Sequence, residues 1–96
     1  MPYYENQRTF AASLASFCQQ SLSATEYEII VADDGSTHAA QDVAPISQYA
    51  PSTQILRLEH HGQSAATNAA IRQARGELVL MTCADIIADR ELLAAH

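Results

Sequence analysis

Lysine is absent from these 96 residues, and five arginines stand against eleven acids, so the formal net charge is −6 at pH 7. Nucleic-acid phosphates need a basic face, which this composition cannot supply. A nucleotide stays open, because backbone amides and a metal ion can hold one. Cysteine is scarce too. Cys18 and Cys83, widely spaced, make neither a zinc pattern nor a disulfide framework, and read as two buried free thiols in a reducing compartment. No apolar run approaches membrane-spanning length. The opening "MPYYENQRTF" lacks the apolar stretch of a signal peptide. A cytoplasmic setting is the expectation.

The length allows one small domain, 1–96, with a thin stability margin. The 48% apolar content overstates the core, because eighteen of those residues are alanine. The large core formers are few and clustered: Ile29, Ile30 and Val31; Ile55, Leu56 and Leu58; Leu78, Val79 and Leu80.

Those clusters fall into elements. Phe10, Leu14 and Phe17 share one helix face, which predicts a helix over about 7–20. "EIIVAD", 28–33, is a short continuous run rich in branched residues, as in a strand buried on both faces. Ser36 or Thr37 can cap a following helix with Ala40, Val43 and Tyr49 inward, broken or restarted at Pro45. "QILRLE", 54–59, reads as a strand. In "HHGQSAATNAAIRQARG", Ser64 is a candidate N-cap. Ala66, Ala70, Ile71 and Ala74 form a small-residue face, Arg72 and Arg75 suit the C-terminal end, and Gly76 stands where a helix stops. "ELVLMT", 77–82, reads as a third buried strand, and "DRELL" as a last helix capped by Asp89.

The order α-β-α-β-α-β-α predicts an α/β fold, a parallel sheet with helices on both faces. Ligands of such sheets bind beyond the carboxyl ends of the strands. Asp33 and Asp34 lie at one such end, and Cys83, Ala84 and Asp85 at another. Two acidic spots would then converge on one edge. "MPYY" reads as the loop leaving a strand that is not there, so a first strand is expected to be missing.

Four collinear segments carry a resemblance. "PYYENQRTFAASLASFCQQSL", "EIIVADDGST", "LRLEHHGQSAATNAAIRQARGE" and "GELVLMTCADII" resemble, in order, the opening loop and first helix, the Asp-Asp-Gly-Ser strand end, the Gly-x-x-Ala-Ala-Arg-Asn segment and the Asp-x-Asp strand of family-2 glycosyltransferases. They resemble the N-terminal, nucleotide-sugar-binding part of that family, across nearly the whole chain. The resemblance implies a Rossmann-like three-layer fold of GT-A type, truncated at its first strand. It also implies transfer of a sugar from a nucleotide diphosphate donor to a glycan, lipid or protein.

By position, the resemblance places Pro2, Tyr4, Asp34 and Ala84 at the nucleotide. Tyr4 would lie against the base, and Asp34 would accept a hydrogen bond from its edge, favouring a UDP- or GDP-type donor. Asp33 would orient the loop. Asp85 matches the second acid of the Asp-x-Asp motif and would hold Mn²⁺ or Mg²⁺ against the diphosphate. The sequence departs from the pattern at Cys83, which replaces the first acid, and at Ile86, Thr67 and Glu5. The family's catalytic base and acceptor site come later than His96. No catalytic residue is therefore assigned, and this chain alone is expected to be inactive, a non-catalytic fragment of the family.

Plainer readings stand beside these. Asp33-Asp34-Gly35-Ser36 also suits a turn with a helix cap. Asp85 also suits a surface acid, Tyr3 and Tyr4 also suit packing, and His60 and His61 suit a loop. An acid pair after a strand also resembles phosphoacceptor receiver domains, but those need a lysine, and none is present. A sheet missing a strand exposes an edge and apolar surface, so self-association is expected.

Overall fold

The computed structural model describes residues 1–43 and 52–95. Three strands, β1 (Pro2–Tyr3), β2 (Glu28–Asp33) and β3 (Ser52–Arg57), form one parallel sheet in that order. Four helices accompany it: α1 (Phe10–Cys18), α2 (Ala40–Val43), α3 (Gln63–Gln73) and α4 (Leu92–Ala95).

Strand β2 is central and its side chains alternate between the two faces. Ile29 and Val31 point to a core shared with Met1, Tyr3, Phe10, Leu14, Phe17 and Ala40. Ile30 and Ala32 point the other way, onto Ala66 and Ala70 of α3. The small-residue face of α3 thus lets a helix lie close on the sheet. Tyr3 and Phe10 meet edge to face, with ring centroids 4.7 Å apart. These two cores make the three layers.

The three-layer parallel architecture agrees with the sequence reading, but its strands differ in two places. A short first strand is present. Pro2 pairs with Ala32 and Tyr3 with Asp33, and the Met1 nitrogen donates to the Ile30 carbonyl. Residues 77–82 form no strand. They have the apolar content, but β1, the edge strand with a free side, is only two residues long, and no ladder forms. Leu78, Val79, Leu80 and Met81 consequently stand exposed.

Element ends also shift. Helix α1 starts at Phe10, after a turn over 7–9, rather than at about 7. Strand β3 begins and ends two residues before the predicted run. Helix α3 starts at Gln63 behind Gly62, not behind Ser64, and ends at Gln73, capped by Ala74 rather than Gly76. A distant carboxylate, Asp34, holds the His61 and Gly62 amides, and the helix begins directly after them. Asp89 does act at the start of the last helix, its Oδ1 accepting from the Glu91 amide at 2.8 Å. The predicted roles of Pro45 and Tyr49 lie outside the described residues.

Candidate nucleotide site

Parallel strands bring their carboxyl ends to one edge, where residues 4–9, 34–39 and 58–62 meet. Two neighbouring acids organise this edge from opposite sides of β2. Asp33 is fully buried. Its Oδ1 accepts from the Ser36 amide at 3.0 Å, and its Oδ2 from the Ala40 amide and Arg57 Nη1, both at 2.8 Å. It fixes the turn and the start of α2, so the plain turn-and-cap reading describes this residue. Asp34, also buried, turns to the α3 side. Its Oδ1 accepts from the His61 amide at 2.9 Å and its Oδ2 from the Gly62 amide at 3.1 Å. His60 Nδ1 lies 2.9 Å from the same Oδ2 and 3.1 Å from the Asp34 carbonyl oxygen. Burial pushes the Asp34 carboxyl up, but the two amides and the His60 ring outweigh it and hold the group below its usual range.

Between these acids lies Gly35, with φ +72°. A β-carbon there would come within 2.8 Å of the His60 backbone nitrogen. Only glycine takes this conformation at so close an approach.

The β1 loop closes the edge. Tyr3 is a core residue whose hydroxyl donates to the His38 carbonyl at 2.6 Å. Tyr4 is the exposed one of the pair, and its ring stacks on His60 with centroids 4.3 Å apart and planes at 21°. Glu5, at φ +51°, donates its amide to Ser36 Oγ at 2.8 Å, and its carboxylate accepts from the Thr37 amide at 3.1 Å. That amide, then burial in the opposite sense, and the His38 amide leave the Glu5 carboxyl below its ordinary range. Of the residues assigned from sequence, Tyr4 and Asp34 come together here, bridged by His60.

The others sit apart from that cluster. Pro2 lies in β1, paired with Ala32. Ala84 is buried, and its carbonyl accepts from Thr9 Oγ1 at 3.0 Å. The Cys83 carbonyl accepts from Ser13 Oγ at 3.3 Å. Residues 83 and 84 thus lie along the start of α1, and Asp85 beyond them is exposed. No group of three or more His, Cys, Asp or Glu side chains gathers among the described residues. Asp85 can therefore give one hard oxygen to a divalent cation, which would take its other ligands from a diphosphate and water. Cys83, a half-buried soft thiol, suits neither Mg²⁺ nor Mn²⁺.

A sequence model described as Glycosyl transferase family 2 matches residues 1–95. The chain belongs to glycosyl transferase family 2. Family relatives include the Bacillus subtilis (strain 168) glycosyltransferase YfnE, 31% identical over all of this chain and 24% of YfnE. An N-acetylglucosaminyltransferase of Azorhizobium caulinodans is 31% identical over 95% of this chain and 23% of its own length. The crystal structure of Staphylococcus aureus TarS 1–349 in complex with UDP superposes with a TM-score of 0.88 at 30% identity, covering 98% of this chain and 28% of that one. The chain spans about a quarter of the length of the relatives it matches. Its family rules out the receiver-domain reading, and Asp33, tied to Arg57 and two amides, is not an open metal ligand.

Two residues escaped the sequence reading. Glu5 was noted as a departure from the family pattern, with no sign that it would hold the 36–38 turn. His60 does lie in the loop after β3, as its sequence suits, but nothing local marks its contact with Asp34. Its adjacency to Asp34 depends on the register of β2 and β3, in which Asp33 pairs with Arg57 and so carries the two strand ends out side by side.

Proposed function

We propose that this chain is the donor-binding part of a family-2 glycosyltransferase, holding a nucleotide diphosphate sugar, of UDP or GDP type, while a longer polypeptide transfers the sugar to a glycan, lipid or protein. The observation that carries the reading is the Tyr4–His60–Asp34 cluster at the carboxyl edge of the sheet. It offers an aromatic face beside fixed polar atoms, as a nucleobase needs. Support comes from the TarS likeness, since that protein binds UDP in the same fold.

Within this reading, Tyr4 gives the base a stacking surface, and Asp34 fixes the loop that meets the base edge. Pro2 and Ala84, which lie apart from that cluster, are assigned to the nucleotide through the family resemblance alone. Asp85 would hold Mn²⁺ or Mg²⁺, which supplies charge neutralisation for the departing diphosphate. The chain's net charge of −6 makes that cation important for admitting an anionic donor. The free thiols favour a reducing, cytoplasmic setting. No described helix is long and apolar enough to cross a membrane. The catalytic base lies elsewhere in the longer protein, so this chain by itself does not turn over donor. The exposed run Leu78–Met81 favours self-association.

A thermal-shift titration with UDP, GDP, CDP and dTDP, each with and without Mn²⁺, tests the reading. The expected result is a metal-dependent rise for one nucleotide that Asp34→Ala abolishes. A cooperatively melting chain that responds to none of them refutes it. Donor hydrolysis by residues 1–96 alone would refute the assignment of catalysis to other parts of the protein.

A further inference from the structure

The carboxylate of Asp34 is surrounded by donors from its own chain. His60 Nδ1 faces two oxygens of Asp34, one from its carboxylate and one from its backbone carbonyl, at 2.9 and 3.1 Å. Both are acceptors, so Nδ1 carries a proton. In the neutral ring Nε2 is then a bare acceptor, and it makes no hydrogen bond among the described residues. The stack on Tyr4 fixes the plane of the imidazole. A ligand group arriving in that plane meets Nε2. Asp34, by contrast, is only 3% exposed, and both its oxygens are already engaged by the amides of His61 and Gly62 and by His60.

We propose that His60 Nε2, oriented by Asp34 and by the Tyr4 ring, is the atom that reads the base edge, and that it selects bases presenting a ring N–H. This rests on the donor-site reading above and narrows it. Uracil, thymine and guanine each present such an N–H. Cytosine and adenine present a bare ring nitrogen there, which would face Nε2 acceptor to acceptor. A site built around one hydrogen-bonding atom rejects the analogue that cannot complete the bond, because the atom is left unpaired. Asp34 is then a positioning residue, setting which nitrogen of His60 is protonated and where the ring points.

UDP and CDP share ribose and diphosphate and differ only at the base edge in question. The test measures both affinities, with saturating Mn²⁺, on the intact chain and on His60→Phe and Asp34→Asn. The native chain is expected to prefer UDP by roughly tenfold, the worth of one net hydrogen bond. His60→Phe keeps an aromatic ring on Tyr4, so it should weaken UDP by about the same factor and leave CDP unchanged. Asp34→Asn should lower the UDP preference while both nucleotides still bind. A long-range ¹H–¹⁵N NMR spectrum of the native chain adds a readout that depends on no variant. It should show a protonated Nδ1 and a bare Nε2 whose resonance moves with UDP. A UDP preference retained in His60→Phe, or an Nε2-protonated ring, overturns the proposal and leaves the donor-site reading standing. A native chain that melts cooperatively but binds none of UDP, GDP and CDP overturns both.

Discussion

Strand β2 and residues 77–82 carry nearly the same message in sequence and meet opposite fates. Ile29, Ile30, Val31 and Ala32 are at most 9% exposed, whereas Leu78, Val79, Leu80 and Met81 are at least 37% exposed. Both runs are apolar and four residues long, and both end near acids. What separates them is company. Strand β2 has β1 on one side, β3 on the other, and helices over both faces. The later run has no ladder partner. An apolar run therefore states a capacity for burial, and the neighbours decide whether it is used.

The largest effect that could break this comparison lies at the end of β2. Asp33→Ala leaves two buried amides and one guanidinium without their acceptor, and should cost about 3 kcal/mol, the half-exposed Arg57 adding least. Chemical denaturation measures it, and a loss under 1 kcal/mol (the worth of about one ordinary hydrogen bond) would mean that the strand end is held by something else. Next, Gly35→Ala forces a β-carbon toward the His60 backbone at a positive φ, at a cost of about 2 kcal/mol. It should also disturb the Tyr4–His60 stack, visible as changed ring-proton shifts. The direct comparison pairs Val31→Ala, expected to cost about 2 kcal/mol, with Leu78→Ala, expected to stay within about 0.5 kcal/mol. Equal costs would show that 77–82 is buried in solution.

A subtler probe is acid. Because the folded Asp34 titrates below its ordinary value of 3.8, the unfolded chain takes up the proton first as pH falls. Its stabilisation is fully present above that value and is lost as pH drops through the folded pKa. Asp34→Asn should flatten this part of the stability profile below about pH 4. The smallest change concerns association rather than folding. Leu78→Glu with Met81→Glu should leave the melting temperature nearly unchanged and reduce the mass seen by light scattering at high concentration. An unchanged mass would place any association on another surface.

Much of this was legible in the residues. The 28–33 run, the Phe10–Leu14–Phe17 face and the Ala66–Ala70 face depend on local periodicity, and all three stand in the cores. The four collinear segments likewise pointed to the family. The short β1 and the unpaired 77–82 were misread, because pairing is a property of neighbours at long sequence separation, which no local pattern records. At the site, Asp34 and Tyr4 were found by position. His60 was not, since its role depends on a contact 26 residues away. The start of α3 was misplaced for the same reason: Asp34 holds the His61 and Gly62 amides, and the helix begins at Gln63.

Gln20 has one more consequence. Its side-chain amide donates to the carbonyls of Ser16 and Asp89 and accepts from the Leu93 amide, bracketing the end of α1 to the start of α4. An amide neither titrates nor responds to salt as a charge does. The loops at the opposite edge hang on carboxylates, Asp34 and Glu5. Acid strong enough to protonate them, below about pH 4, should therefore loosen the nucleotide edge while the Gln20 bracket keeps its grip.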